Sequence, residues 1–337
     1  MKALVVGCGS IGLRHIGHLR QLGLSGIEAV DPSPAARART AREYGIQAQR
    51  DLERALDRRP DIVLVCTPAA THVAMTRKAL ETGAHVFIEK PIGTTLDGVA
   101  SLVRRVEADG RIVQVGYQLR YHPAMRATKR LLEDGRLGPV LTARAEFGLY
   151  LPKWWPGRDY RRSYMASAEA GGGLLMDVSH EIDLMMWFLG EVDTVTGYGR
   201  KLSALAIKGV DVITVVMQMA SGALVSLHMD CLQPAYTRGF RLTGEGTALR
   251  WECGAGRADR SVGRLELYDS ARDRFEPVRL RGDARQTYLD ELRDFLGSVE
   301  TGRPPAVGVR QSLGTLKVAL AIQRAISTGR SVTVDRC

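Results

Sequence analysis

The sequence lacks the features of a membrane or secreted protein. Its longest unbroken apolar run, 184–189, has six residues, whereas a membrane-spanning helix needs about 20. The N-terminus enters a predicted strand at once, so we expect no signal peptide and a cytoplasmic location. The five cysteines are scattered and form no Cys-x-x-Cys pair. We therefore expect free thiols in a reducing compartment, with neither a disulfide framework nor a metal site.

Lysine is scarce as well. Only 8 of the 47 basic residues are lysine, although the formal net charge is +10. A strongly basic chain can bind nucleic acid, but here the arginines are spread along the whole chain and no recognition motif accompanies them. We therefore expect a solvated basic surface that is compatible with a phosphate-bearing substrate, and no nucleic acid partner.

A glycine pattern stands at the start of the chain. The apolar run 3–6 predicts a buried strand, and the three glycines that follow it have the spacing G-x-G-x-x-G before a predicted helix. In this context the glycines permit a tight turn, close approach of a pyrophosphate, and close packing of helix on strand. The alternative is a strand–helix unit whose glycines serve packing alone. The predicted cofactor contacts here are Gly7, Gly9, Ser10, Ile11 and Gly12.

An acidic residue, Asp31, ends the second predicted strand, 27–30, and lies 19 positions after Gly12. A carboxylate at this place accepts hydrogen bonds from the adenosine ribose and repels a 2′-phosphate. Pro32, a further predicted cofactor contact, and Ser33 bring no cation, and Arg37 is one helical turn away. The pattern predicts NAD in preference to NADP.

Two further predicted strands end in polar residues. Strand 61–66 runs into Thr67-Pro68, and strand 85–88 runs into Glu89-Lys90-Pro91. Ligands of open parallel sheets bind beyond the carboxyl ends of the strands. Lysine can donate to a substrate hydroxyl and to ribose, while the first turn could also be ordinary turn chemistry with a helix cap. The predicted cofactor contacts at these ends are Cys66, Thr67, Pro68, His72, Glu89 and Lys90.

These motifs resemble the glucose–fructose oxidoreductase, inositol dehydrogenase and rhizopine catabolism family, written Gfo/Idh/MocA. The resemblance rests on Gly7-x-Gly9-x-x-Gly12-x-x-His15, Thr67-Pro68-x-x-x-His72, Glu89-Lys90-Pro91 and Gln118-x-Arg120-Tyr121. It implies a nicotinamide-dependent enzyme that acts on sugars or cyclitols, and that Lys90 is catalytic or binds substrate. It also implies a cofactor contact at Gln118, where the family usually has asparagine.

The second half contains two candidate substrate elements. Segment 153–164 is rich in arginine, which suits phosphate or carboxylate, and in aromatic rings, which suit sugars or bases; a structural surface loop is the alternative. Segment 174–189 predicts one apolar helix, in which Asp177, His180 and Asp183 would share a side. The predicted substrate contacts are Arg120, Trp154, Trp155, Arg158, Tyr160, Arg161, Tyr164, Asp177 and His180.

A histidine on a buried helix can take a proton near neutral pH, and a neighbouring carboxylate can orient it. We predict that Lys90, Asp177 and His180 are catalytic: His180 takes the hydroxyl proton, Lys90 holds the hydroxyl oxygen and Asp177 orients the pair. The Asp177-x-x-His180 spacing is one residue shorter than the family's usual pattern and resembles the subgroup that accompanies sugar biosynthesis.

We predict an α/β chain of two domains. Alternating strands and helices in 1–119 indicate a doubly wound parallel Rossmann sheet, and 120–337 indicates an α/β domain with a large, mainly antiparallel open sheet for substrate binding and oligomerisation. An apolar open face predicts a homodimer or homotetramer.

The substrate stays open at the level of the sequence. The arginines and aromatics of 154–164 favour a nucleotide-linked sugar, since neutral free sugars need no such cations. A free inositol, aminocyclitol or aminoglycoside is the alternative, because acidic residues accompany the arginines. A non-catalytic dinucleotide-binding sensor is an alternative of another class, although such proteins lose the lysine or the histidine that this chain keeps.

Overall fold

The computed structural model describes residues 1–154, 156–157, 159–166, 172–253 and 261–335. The chain forms two compact units. The first comprises Met1–Gln118 and Tyr288–Leu316, and the second Leu119–Thr287 and Lys317–Cys337. The first segment of this unit ends at residue 118, one residue before the predicted end of the first domain at residue 119. No helix in the described ranges combines the length and apolarity that a membrane span requires.

The first unit is built on a five-stranded parallel sheet with the order β2-β1-β3-β4-β5. Its elements are β1 (Ala3–Val6), α1 (Ser10–Gln21), β2 (Ile27–Val30), α2 (Pro34–Tyr44), α3 (Leu52–Leu56), β3 (Ile62–Val65), α4 (His72–Glu81), β4 (His85–Glu89), α5 (Val99–Asp109) and β5 (Val113–Gly116). β1 and β3 are buried throughout, as expected for strands covered on both faces. The doubly wound parallel sheet is confirmed.

One helix that we assigned to the second domain belongs to the first unit. α10 (Thr287–Thr301) contributes Leu292, Phe295 and Leu296 to the same apolar core as Ile16 and Phe87. The rings of Phe87 and Phe295 meet edge-to-face with centroids 5.8 Å apart. The boundary prediction missed this because sequence distance hides which face an amphipathic helix covers. α11 (Val309–Thr328) follows α10.

The second unit is built on a nine-stranded sheet with the order β13-β12-β11-β10-β6-β9-β8-β7-β14. Its elements are α6 (Pro123–Glu133), β6 (Val140–Tyr150), α7 (Leu151–Trp154), α8 (Leu174–Asp177), α9 (His180–Leu189), β7 (Val192–Arg200), β8 (Val212–Met219), β9 (Leu224–Asp230), β10 (Leu232–Gly244), β11 (Thr247–Glu252), β12 (Arg264–Asp269), β13 (Arg274–Pro277) and β14 (Val332–Thr333). All pairs are antiparallel except β6 with β9. The large, mainly antiparallel sheet is confirmed.

Candidate active site

The glycine loop after β1 leaves room for a ligand. Gly7 has φ +97°, and a Cβ there would lie 2.6 Å from the Cys66 carbonyl oxygen. A Cβ on Gly12 would lie 1.9 Å from the Gly7 carbonyl oxygen. By contrast, a Cβ on Gly9 would meet nothing within 4 Å. The outer glycines are therefore required by the protein's own packing, and the middle one faces open space that a pyrophosphate can occupy.

The helix that opens at Ser10 can bind an anion. Gly9 stands at its N-cap, no side chain caps its first N–H groups, and its first turn holds no acidic residue. The N–H groups of this turn lack partners within the helix, and the helix dipole is positive here. The cofactor contacts predicted from the glycine pattern thus stand where a phosphate group would be received.

Asp31 is held rigidly at the end of β2. Its Oδ2 accepts a hydrogen bond from the Cys8 N–H at 2.7 Å, and its Oδ1 accepts one from the Ser33 N–H at 2.8 Å. Each carboxylate oxygen keeps a further lone pair for a ribose hydroxyl. Arg37 donates through Nη1 to the carbonyl oxygens of Asp31 and Pro32, both at 2.8 Å, so its guanidinium is anchored to backbone.

A second arginine near this end was not foreseen. Arg39 donates from Nη2 to the Cys8 carbonyl oxygen at 2.8 Å, which places it beside the glycine loop. The sequence offered one weak signal, its position on α2, the helix that follows Asp31.

Cys8 and Cys66 are both buried, and burial raises the pKa of the Cys66 thiol well above its usual value. Cys66 is therefore a packing contact of the glycine loop.

His72 does not present its ring nitrogens to a ligand. Its side chain is buried, Nδ1 lies 2.7 Å from the Pro91 carbonyl oxygen and Nε2 lies 2.8 Å from the Thr67 carbonyl oxygen. Burial lowers the pKa of His72, against the effect of both carbonyl contacts. The Thr67 hydroxyl pairs with that of Thr71 at 2.7 Å. His72 therefore ties the turn after β3 to the segment after β4.

Glu89 likewise faces the protein. Its Oε1 lies 2.6 Å from Nε2 of His15, whose side chain is fully buried. Burial raises the pKa of the Glu89 carboxyl, but the hydrogen bond and charge of His15, with the charge of Lys90, outweigh it and hold that pKa below its usual value. The sequence pattern contained His15, three residues after the last motif glycine, without indicating this partner.

Lys90 follows directly at the carboxyl end of β4. Its side chain is half-buried, its backbone N–H donates to Glu89 Oε2 at 3.3 Å, and the Lys90–Pro91 peptide is cis. Gln118 is buried and begins a short 3₁₀ turn after β5. The strand ends of one sheet thus bring together the glycine turn, Asp31, Thr67 and Lys90.

In the second unit the expected single helix over 174–189 is two helices. α8 ends at Asp177 and α9 begins at His180, with a turn at 178–179 between them. The prediction that Asp177, His180 and Asp183 share one helix side therefore does not hold across the break. His180 is buried, Asp177 is half-buried, and burial together with the charge of Asp177 raises the pKa of Tyr164. Tyr164 and Asp177 thus lie near each other.

Arg120 and Asp183 bind each other. The guanidinium donates from Nε to Oδ2 at 2.8 Å and from Nη2 to Oδ1 at 2.6 Å, and both side chains are buried. Arg238 makes a similar pair with Glu181, from Nε to Oε1 at 2.6 Å. Because the Arg120 guanidinium already binds a carboxylate, it is not a free cation for a substrate phosphate.

The aromatic and basic loop is partly described. Trp154 stacks on Tyr236 with centroids 5.7 Å apart, and both rings contact Phe147. Arg161 donates through Nε and Nη2 to the two oxygens of Asp159 at the surface, and the Tyr160 hydroxyl accepts the Ala206 N–H at 3.1 Å. Trp155 and Arg158 lie outside the described residues. Within the described ranges, no group of three or more His, Cys, Asp or Glu side chains could hold a metal ion.

The comparisons with known proteins agree across the chain. Scyllo-inositol 2-dehydrogenase (NAD(+)) of Bacillus subtilis is 27% identical, with 99% of this chain and 96% of that protein covered. Inositol 2-dehydrogenase of Salmonella typhimurium is 27% identical over 91% of this chain and 88% of its own length. Levoglucosan dehydrogenase, solved with NADH, shares the fold with a TM-score of 0.87 at 18% identity and complete coverage of both chains.

Family models match both units. Residues 1–117 match the oxidoreductase family with an NAD-binding Rossmann fold, and residues 125–250 match the C-terminal domain of the same family. The expected resemblance, oxidoreductase class and NAD-binding domain are thus confirmed. The chain belongs to the GFO/IDH/MocA family of oxidoreductases.

Proposed function

We propose that the protein catalyses NAD-dependent hydride transfer at a ring hydroxyl of a cyclitol or sugar. One observation carries the proposal: the open glycine turn, the anchored Asp31 and Lys90 all stand at the carboxyl edge of one parallel sheet. Ligands of such sheets bind at this edge. Bound NAD supplies the hydride acceptor, and the residues of the chain supply binding and proton handling.

The cofactor is received by three groups. Gly9 leaves space for the pyrophosphate, the N-terminal N–H groups of α1 donate to it, and Asp31 accepts from the adenosine ribose. Lys90 donates from its ammonium group to the substrate hydroxyl, which keeps that oxygen oriented and stabilises negative charge on it during hydride transfer.

His180 takes the hydroxyl proton in the oxidative direction, and Asp177 orients it. A positioned general base typically contributes about 10²–10⁴-fold to the rate. His180 is buried at the start of α9, and Asp177 ends α8 three residues before it. Because of the break, the two side chains project from different helices, and the burial of His180 suits a base that works away from bulk water.

We propose a free cyclitol or sugar as the first candidate substrate. Two relatives that cover most of the chain are named inositol dehydrogenases, and a third is named 1,5-anhydro-D-fructose reductase. The prediction of a nucleotide-linked sugar relied on arginines, and two of those are already ion-paired, Arg120 with Asp183 and Arg161 with Asp159. The nucleotide-linked sugar remains the second candidate because Trp154 stacked on Tyr236 offers an aromatic surface for a base.

A substrate panel tests the proposal. Formation of NADH from NAD, or of NADPH from NADP, is followed with myo-inositol, scyllo-inositol, an aminocyclitol, glucose and UDP-N-acetylglucosamine. We expect turnover with NAD and with a free ring polyol. Turnover of UDP-N-acetylglucosamine alone would instead favour a nucleotide-linked sugar as the substrate. NADH binding without turnover of any member would favour the sensor alternative.

We also propose a homodimer or homotetramer that packs through the open face of the large sheet. Tyr198, Val216 and Leu224 lie on this face of three adjacent strands and are 73%, 42% and 50% exposed. Light scattering at micromolar concentration tests this, and a monomer would contradict it.

A reducing, cytoplasmic location is proposed from the four described cysteines, all of which are free thiols.

A further inference from the structure

Two buried histidines contact the residues on either side of Lys90. His15, on α1, lies 2.6 Å from the carboxylate of Glu89, the residue before Lys90. His72, on α4, lies 2.7 Å from the carbonyl oxygen of Pro91, the residue after it. The two histidines are 0% and 1% exposed, so neither can act on a ligand directly.

The contacts reach the strand end from both faces of the sheet. His15 packs edge-to-face on Phe87, with ring centroids 5.1 Å apart, and Glu89 points to the same face because side chains alternate along a strand. α4 connects β3 to β4, the neighbouring strand, whereas α1 connects β1 to β2 in the opposite direction across the sheet. Right-handed crossovers put these two helices on opposite faces.

The contact atoms also differ between the two histidines. His15 uses Nε2 toward Glu89, and His72 uses Nδ1 toward Pro91 while its Nε2 faces the Thr67 carbonyl oxygen at 2.8 Å. A neutral imidazole carries one N–H, so only one of the two carbonyl oxygens at His72 receives a proton at a time. The contact that reaches the Lys90 segment is the one at Nδ1.

We infer that His15 and His72 are positioning residues: His15 holds the Glu89 side chain before Lys90, His72 holds the Pro91 backbone after it, and together they direct the Lys90 ammonium group. The inference rests on the proposed function, in which Lys90 binds the substrate hydroxyl. It assigns to His72 a role through Lys90, in place of the cofactor contact predicted from the sequence. Misplacing a catalytic group by about 1 Å can cost on the order of 10²-fold in rate.

Asparagine and glutamine replacements distinguish the position of the hydrogen-bonding nitrogen from the volume of the side chain. The Asn side-chain nitrogen sits near the place of histidine Nδ1, and the Gln nitrogen near that of Nε2. We expect His72→Asn to keep kcat close to wild type and His72→Gln to lower kcat by about 10–100-fold. At position 15 we expect the reverse: His15→Gln keeps kcat, and His15→Asn lowers it. His85→Asn and His85→Gln, at the other end of β4, are the matched controls and should leave kcat unchanged.

Kinetics are measured with NAD and the panel polyol of highest kcat/KM, and NADH affinity is measured for each variant by fluorescence. The crossed pattern should appear in kcat with NADH affinity unchanged. In a Lys90→Ala background the losses from His72→Gln and His15→Asn should vanish, because residues that act through a third residue are not additive with it. The same replacement being better at both positions, or losses that persist without Lys90, would overturn the inference.

A spectroscopic readout works without any substrate. The chain has eight lysines, so ¹³C-dimethyl labelling gives few signals, and the Lys90 signal is identified by its loss in Lys90→Arg. We expect this signal to shift in His72→Gln and His15→Asn only; an unchanged signal in both would overturn the inference. A fully active Lys90→Ala would instead overturn the proposed function, while the NMR result would still judge the positioning.

Discussion

The Arg120 guanidinium binds the Asp183 carboxylate through two hydrogen bonds of 2.8 and 2.6 Å, with both side chains buried in the second unit. Arg120 also lies over the Trp187 ring at 5.4 Å. Two parallel charge-assisted hydrogen bonds between a guanidinium and a carboxylate are stronger than neutral hydrogen bonds and more specific in geometry. The arrangement fixes the start of the second unit, just before α6, to the first turn of α9.

Asp183→Asn should therefore destabilise the protein. Removing one partner of a buried pair leaves an uncompensated charge and typically costs about 3–5 kcal/mol. Urea unfolding measures the free energy of unfolding. Arg161→Ala is the matched control, because the Arg161–Asp159 pair is exposed and should make no measurable difference. Equal stability of Asp183→Asn and wild type would show that the pair contributes nothing.

Asp31→Ser should weaken NADH binding by about 10–100-fold, since a hydrogen bond to a charged group contributes about 1.5–3 kcal/mol. NADPH binding should improve in the same variant, because the carboxylate no longer repels the 2′-phosphate. Fluorescence titration with both cofactors measures this. Arg37→Ala serves as the control for the nearest cation. NADH affinity that is untouched in Asp31→Ser would remove Asp31 from the cofactor site.

His122 should make stability depend on pH. Its Nδ1 accepts the Ala124 N–H at 3.2 Å and its Nε2 lies 3.0 Å from the Ser261 carbonyl oxygen, which suits a neutral ring. Burial lowers the pKa of His122 to about 4, from an ordinary value of 6.5. Below pH 6.5 the unfolded chain binds a proton that the folded chain does not, so stability falls as pH falls from 6.5 to about 4.

The size of this effect is on the order of 3 kcal/mol. It is isolated by comparing wild type with His122→Asn, which keeps a side-chain acceptor at the N-cap of α6 but has no titrating group. The stability advantage of wild type over His122→Asn should shrink between pH 7 and pH 4.5. An advantage that is constant over this interval would mean that folding leaves the pKa of His122 unchanged.

Phe295→Ala tests the placement of α10 in the first unit. Phe295 is fully buried beside Phe87, and its truncation should cost about 3–5 kcal/mol. The loss should appear in the unfolding transition that NADH shifts to higher temperature, because a ligand stabilises the unit that binds it. Glu300→Ala, at the exposed end of the same helix, is the control. Destabilisation confined to a transition that NADH leaves unmoved would contradict the assignment.

The glycine turn and the acidic residue that ends the second strand were predictable because their signals are local. Gly7, Gly9, Gly12 and Asp31 stand within one strand–helix–strand unit, where spacing alone specifies geometry. Alternation of strands and helices likewise predicted the parallel sheet, and β-rich segments predicted the antiparallel one.

Pairings between distant residues were not predictable. His15 and Glu89 are 74 positions apart, and Arg120 and Asp183 are 63 apart; the sequence shows each group without its partner. The break between α8 and α9 was missed because no proline or glycine interrupts 174–189. The place of α10 depended on which apolar core its buried face completes, which only the folded chain decides.

We propose that Lys90 and His180 perform the chemistry after NAD has bound. The most direct measurement is kcat of Lys90→Ala and His180→Ala with the best polyol of the panel, alongside the NADH dissociation constant of each variant. Loss of general-base assistance should lower kcat by about 10²–10⁴-fold in His180→Ala, and Lys90→Ala should lose most of its turnover, with NADH binding retained in both. Near-normal turnover in both variants would contradict the account.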